Sequence, residues 1–391
     1  MAKNRAEIPA LQLACARIGA IFVPLNWRLS LRELNTIMVD SEPVLVFIDA
    51  FAVEKGVVGE PIDCVLSDCA RYPARPFDLG GPNLPSLILY TSGTLGSPKG
   101  VILSEENINE TALNFALLGH VDPISSFLCE SPMFHIIGLV SSVRAALLLG
   151  GKIVISDGFI PARTLERLGE LRLAITHYFC VPQMAKALRE EANFNPEKLK
   201  HLTAIFTGGA PHPADEIRAW LKDGIPIVDG YGMSEAGTVF GMPVDPDMIE
   251  WKAGCVGFAT HRMQVRLADD DDQEVACGAL GEVQLKGPNL ALGYWHQDAE
   301  FAAAHTADGW FKTGDIAVCD EDGYFRIVDR KKDMIISGGE NIYPSEVEFV
   351  ARQHDSVYDC ALVGMPDERW GEIGHLFVVL TPGIAPQKKR R

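Results

Sequence analysis

At 391 residues, with 47% hydrophobic side chains, the chain can bury a large core and divide into more than one domain. Its formal net charge of −17, from 52 acidic against 35 basic residues, argues against a nucleic-acid partner, because a phosphate backbone attracts surfaces rich in Lys and Arg. The longest apolar stretch, residues 139–149, is interrupted by Arg144 and is too short to span a bilayer, so no membrane span is expected.

The first twenty residues join a basic start to an apolar segment, but Glu7 and Arg17 interrupt it, which reads as a core helix instead of a leader. Helix and strand signals then alternate. Residues 11–18 read as helix and 20–24 as strand. A second helix is opened by the capping box Ser30-x-x-Glu33, and 44–48 reads as a further strand. This patterning predicts an α/β fold, a large body of mixed and parallel sheets flanked by helices. Nine cysteines, scattered and without close pairs, fit a reducing cytoplasm.

The strand-like residues 87–90 run into Thr91-Ser92-Gly93-Thr94-Leu95-Gly96-Ser97-Pro98-Lys99-Gly100, and another strand follows at 101–103. Glycines let backbone N–H groups approach an anion, hydroxyls donate further hydrogen bonds, and Lys99 adds a charge, a combination that suits a polyphosphate. The structural alternative is a Ser/Gly-rich hairpin. It is not a Walker loop, which needs Gly-x-x-x-x-Gly-Lys-Ser/Thr leading into a helix.

Two apolar strands, 204–207 and 225–228, run straight into the glycine turns Gly208-Gly209 and Gly230-Tyr231-Gly232, and in parallel sheets ligands bind beyond such strand ends. Short alternating strands between residues 255 and 293 predict a β-rich subdomain, with the acidic run 269–272 as a solvated turn. The charged knot 329–333 marks a boundary, giving a body over 1–331 and a small α+β domain over 332–391.

The loop at 91–100 closely resembles the Thr-Ser-Gly-Thr-x-Gly-x-Pro-Lys-Gly signature of adenylate-forming enzymes, and later motifs match that family in order. The resemblance implies ATP, Mg2+ and coenzyme A as cofactors, with a carboxylic acid as substrate. Thr91, Ser92, Gly93, Thr94, Gly96 and Lys99 would hold phosphate. Gly209, Ala210 and Pro211 resemble the adenine-side loop. Asp229-Gly230-Tyr231-Gly232-Met233-Ser234-Glu235 resembles the motif whose Tyr packs on adenine, whose hydroxyl meets the α-phosphate and whose Glu holds magnesium. Taken alone, Glu235 would be a carboxylate at a helix start.

Asp315 matches the family's ribose-binding aspartate, with Ile327 and Arg330 beside it, and Lys332 matches the hinge position. Gly338, Gly339 and Glu340 resemble the loop that approaches CoA, and residues 363–372 look more like CoA ligases than peptide-synthetase domains. His135 resembles the histidine that lines the acyl pocket and gates the thiol tunnel, its structural alternative being a core histidine. Thr91, Lys99, His135 and Glu235 are therefore the catalytic expectations, and Ile136, Ile137 and Val140 could line the acyl pocket or simply pack. Fatty and aryl acids are both open.

The resemblance runs from about residue 11 to 380. Members normally carry more sequence ahead of it and end in a Pro-x-x-x-x-Gly-Lys segment whose lysine assists adenylation, and no lysine stands in that context here. Three expectations follow: a ligase slow in adenylation or limited to thioester formation, a catalytic body completed by another polypeptide or a homodimer, or an adenylate-binding regulator.

Overall fold

The computed structural model describes residues 1–73, 80–91, 98–367 and 369–384. The chain forms two compact units. The first comprises 1–264 and 286–305, and the second 265–285 and 306–391.

The first unit is built on a seven-stranded sheet, ordered Phe258–Ala259, Gly237–Gly241, Ile227–Met233, Ala204–Thr207, His177–Cys180, Ser126–Cys129 and Lys152–Ile155. The last five run parallel, and the strands at 227–233, 237–241 and 258–259 pair antiparallel. The parallel strands are short and apolar, and Ser126–Cys129 and Ala204–Thr207 are buried throughout, as a sheet covered on both faces requires. A three-stranded sheet joins Pro85–Thr91, Lys99–Ser104 and Gly293–Tyr294.

The helix Glu105–Leu118 is set by sequence at its start, where Ser104 and Asn107 cap each other reciprocally. Its buried face presents Thr111 and Leu118 against strand glycines: a Cβ on Gly237 would lie 1.9 Å from Thr111 Oγ1, and one on Gly241 2.3 Å from Leu118 Cδ1. Only glycine lets the helix come this close. Arg144, which breaks the longest apolar run, ends a π-helix (Ile137–Arg144) and is buried, donating to Glu105 Oε2 at 2.6 Å, Asn109 Oδ1 at 2.8 Å and Gln12 Oε1 at 3.2 Å.

Several sequence expectations change on folding. The helix over 11–18 begins earlier, at Glu7, and the Ser30/Glu33 capping box does open the helix Leu31–Ser41. Residues 20–24 make no strand, only a bridge from Phe22 to Leu87. Only Phe47–Ile48 of the 44–48 segment is strand, while Val44 and Leu45 face solvent. Apolar composition favoured both segments as strands, but neither finds a full-length neighbour to complete its hydrogen bonds. Gly230-Tyr231-Gly232 is not a turn, because the strand continues through it to Met233.

The second unit holds two four-stranded sheets. One pairs Gln264–Ala268, Leu280–Lys286, Phe311–Cys319 and Phe325–Arg330, matching the expected β-rich character. The other orders Glu340–Ile342, Ile335–Ser337, Gly371–Leu380 and Val357–Asp367, with the helix Pro344–Arg352. Residues 270–272 form a turn whose Asp270 pairs with Lys331 at 2.8 Å. No helix among the described residues is long and apolar enough to cross a membrane. Cys15, Cys64, Cys69, Cys129, Cys180, Cys277 and Cys360 are free thiols.

Candidate active site

Thr91 and Lys99 end and begin two antiparallel strands and stand opposite each other in register, so they close the base of the glycine-rich loop. Ser92, Gly93, Thr94 and Gly96 lie outside the described residues. Lys99 Nζ pairs with Glu300 Oε1 at 2.5 Å and lies 5.0 Å from the ring centroid of Tyr294. The Tyr294 hydroxyl donates to Glu235 Oε1 at 3.0 Å. Burial and the adjacent Glu235 charge push the Tyr294 pKa far up, so it keeps the proton it donates.

The cation of the loop and the carboxylate of a motif more than a hundred residues away are thus joined through one tyrosine. Glu235 sits in the turn that follows the strand Ile227–Met233 and is nearly buried. Neither Tyr294 nor Glu300 carried a motif signal. The pairing of Gly293–Tyr294 with Val101 and Ile102 places the tyrosine there, and that register is a tertiary fact.

Asp229 is buried at the end of the parallel sheet, where it accepts from the Thr207 hydroxyl at 3.1 Å. Desolvation pushes its pKa up to about 8, against the opposing hydrogen bonds from Thr207 and the Gly230 backbone. Thr207 also meets His212 Nδ1 at 3.0 Å, and burial lowers the His212 pKa to about 4. Gly209, Ala210 and Pro211 form the loop between Thr207 and His212, with Gly209 at φ +81°. Tyr231 packs its ring against Phe240, centroids 5.6 Å apart, and its hydroxyl lies 3.9 Å from Met233 Sδ. Gly232 is exposed, and Ser234 is half-buried beside Glu235.

A cavity of about 80 Å³ opens between the helix Glu105–Leu118 and these strand ends, lined by Phe115, Leu118, Ile137, Gly209, Asp229 and Tyr231 among others. Ile136 also lines it, but Val140 packs into the core instead. His135 precedes the π-helix and is not a lining residue. Its ring packs on Phe134, centroids 4.5 Å apart, and desolvation together with the Arg28 charge lowers its pKa.

In the second unit, Asp315 and Arg330 stand opposite each other on neighbouring strands, and Arg330 Nε lies 3.3 Å from the buried Asp315 Oδ1. Ile327 is half-buried on the same strand as Arg330. Lys332 is exposed in the 3-10 turn Lys331–Asp333, whereas its neighbour Lys331 holds the buried Glu282 at 3.0 Å. Gly338 and Gly339 make a hairpin turn at φ +61° and +88°, and a Cβ on Gly338 would strike the Trp370 ring at 2.5 Å. Glu340 opens the next strand and is exposed.

Among the described residues no group of three or more His, Cys, Asp or Glu side chains gathers as a metal cage. A single carboxylate at Glu235 nonetheless fits Mg2+, which keeps several waters and takes one or two carboxylates together with substrate phosphates.

The AMP-binding enzyme family matches residues 1–295, and the AMP-binding enzyme C-terminal domain matches 346–390. The chain belongs to the AMP-binding enzyme family. It is 37% identical over 380 residues to a feruloyl-CoA synthase of Amycolatopsis sp, covering 95% of this chain and 75% of the relative. It is 35% identical over 398 residues to an indoleacetate–CoA ligase of Aromatoleum aromaticum, covering 97% and 77%. A long-chain-fatty-acid–CoA ligase of Mycobacterium tuberculosis is 32% identical over 390 residues, covering 96% and 76%.

Among solved structures, ATP-bound MatB from Rhodopseudomonas palustris superposes with a TM-score of 0.88 at 29% identity, covering 99% of this chain and 79% of the other. The O-succinylbenzoate coenzyme A synthetase of Bacillus subtilis, in complex with ATP and magnesium, superposes at 0.84 with 29% identity, covering 98% and 79%.

Proposed function

We propose that this chain is an AMP-forming carboxylic acid:CoA ligase that takes ATP, Mg2+, coenzyme A and a fatty or aryl acid, and that it works in the cytoplasm. The observation that carries the reading is the cluster Lys99–Tyr294–Glu235, which joins a phosphate-binding cation to a carboxylate suited to magnesium. Membership of the family and the CoA-ligase names of the relatives support it.

In the first step a carboxylate oxygen of the acid attacks the α-phosphorus of ATP in line. The bond to pyrophosphate breaks, and pyrophosphate leaves an acyl-adenylate behind. Negative charge is spread over the phosphoryl oxygens, so the task is positioning and electrostatic stabilisation. Lys99 must leave Glu300 to meet phosphate, and Thr91 holds the loop base beside it. Magnesium bound at Glu235 would supply charge neutralisation. Tyr231, Asp229 and the loop Gly209, Ala210 and Pro211 stand between adenine on one side and, on the other, the acid's tail in the cavity that Gly209, Asp229 and Tyr231 also line, while Asp315, Ile327 and Arg330 serve the ribose.

In the second step the thiolate of CoA attacks the acyl carbon and AMP leaves, a step that requires orientation and exclusion of water. Gly338, Gly339 and Glu340 are the CoA-side loop, Lys332 is the hinge between a body over 1–331 and a lid over 332–391, and His135 gates the thiol path. The test is acid-dependent exchange of labelled pyrophosphate into ATP, together with CoA thioester formation, over a broad carboxylate panel. Activity with at least one acid is expected. Neither exchange nor thioester formation with any acid would reject the reading.

A further inference from the structure

We infer that the acid taken at this site is a monocarboxylic acid whose tail is a single uncharged aryl ring. The inference rests on the ligase reading and on the cavity beside Asp229. That cavity, of about 80 Å³, admits roughly five to eight water-sized groups, enough for one ring and its link. A sixteen-carbon chain has roughly twice as many carbons as that space takes. Nor can the tail push through at Gly241, because the Leu118 side chain sits where a Cβ on that glycine would be, 2.3 Å away.

The remaining walls select for flatness. A Cβ on Gly208 would lie 3.0 Å from the Gly230 carbonyl oxygen, and one on Gly230 3.0 Å from that of Phe240, so neighbouring strands present bare backbone to the cavity. Rings supply the rest. Phe115 lies 4.9 Å from Phe206 and 5.5 Å from Phe179 between centroids, tilted to each, and all three are on the wall. A planar tail gains offset or edge-on contacts with such rings that an alkyl chain of equal size does not, and it freezes fewer rotors.

Charge decides against a second carboxylate. Among the described residues that line the cavity there is no Lys, Arg or His, and Asp229 is the one carboxyl. A diacid would bury an anion with no cation to meet it.

The test compares cinnamate, octanoate, hexadecanoate and 4-carboxycinnamate as substrates of the full chain, and the matching acyl-sulfamoyl-adenosines as binders. Cinnamate is expected to exceed octanoate in kcat/KM by about tenfold. It is expected to exceed hexadecanoate and 4-carboxycinnamate by about a hundredfold. Equal or better use of octanoate, or acceptance of 4-carboxycinnamate on a par with cinnamate, overturns the inference.

The binding arm separates this failure from that of the ligase reading. If no acid turns over but the cinnamoyl analogue binds about tenfold tighter than the octanoyl one, the aryl tail stands and the ligase reading falls. Analogues that bind equally, or not at all, overturn the aryl tail. Leu118→Ala, or the milder Leu118→Val should the first not fold, is expected to shift the ratio toward octanoate. An unchanged ratio in a folded variant shows that Leu118 does not close the cavity and overturns the assignment.

Discussion

Asp229 and Glu235 leave one strand within a turn of each other, yet they meet opposite surroundings. Asp229 faces a threonine hydroxyl and an apolar cavity, and burial holds its proton on to about pH 8. Glu235 accepts from a tyrosine whose ring face carries the Lys99 ammonium. One carboxyl is arranged to stay uncharged beside apolar surface, and the other, set against a ring that carries a cation, is the one proposed for charge chemistry. The difference lies in which strand supplies the neighbour, Ala204–Thr207 for the first and Gly293–Tyr294 for the second.

The sharpest way to break this contrast is at Glu235. Glu235→Gln keeps the shape and the tyrosine contact but removes the charge, and kcat for pyrophosphate exchange should fall by about 10²–10³-fold with an unchanged melting temperature. An unaltered rate would place the charge chemistry elsewhere.

Arg144 extends the comparison to a buried charge with a structural role. Arg144→Met strands Glu105 without its cation and should cost about 3 kcal/mol in urea unfolding, most of it recovered by adding Glu105→Gln. Additive losses in the double variant would deny that the two act as a pair.

Tyr294→Phe removes the hydroxyl but leaves the ring beneath Lys99. About a tenfold loss in kcat/KM for ATP is expected, smaller than for Glu235→Gln because the carboxylate itself remains. Equal losses in the two variants would mean that Tyr294 does more than orient.

The pH dependence of stability reads the other half of the contrast. The folded chain holds the Asp229 proton up to about pH 8, whereas an ordinary aspartate releases it near 3.8, so this group makes stability fall as pH rises between those values. His212 runs oppositely. With its pKa lowered from 6.5 to about 4, stability rises with pH across that window. The two oppose each other below about pH 6.5, and only the fall remains from there to 8. Melting curves of Asp229→Asn should lose that upper fall, and those of His212→Gln should lose the lower rise. Parallel curves for both variants and the parent would refute the assignment.

The smallest effect is expected at Asn114, buried in the helix Glu105–Leu118 with no hydrogen-bond partner for either amide atom among the described residues. Asn114→Leu should raise the melting temperature by about 2 °C.

Much of this was legible in residue order alone. The glycine-rich loop between two strands, the motif ending in Glu235, the Ser30/Glu33 capping box and the α/β alternation all rest on local spacing, and local spacing survives folding because turns and caps use neighbours in the chain. What only the tertiary structure decided are partnerships across long separations. Tyr294 and Glu300 have no local mark, and they reach Glu235 and Lys99 because Gly293–Tyr294 pairs with Lys99–Ser104. The size of the cavity beside Asp229 is likewise set by Leu118 seated on Gly241, a contact between a helix and a strand far apart in sequence. Residue spacing along one element encodes periodicity and turns. Pair distances between elements depend on register and packing, so the charge on Asp229 and the depth of the cavity could be read only once the sheet was assembled.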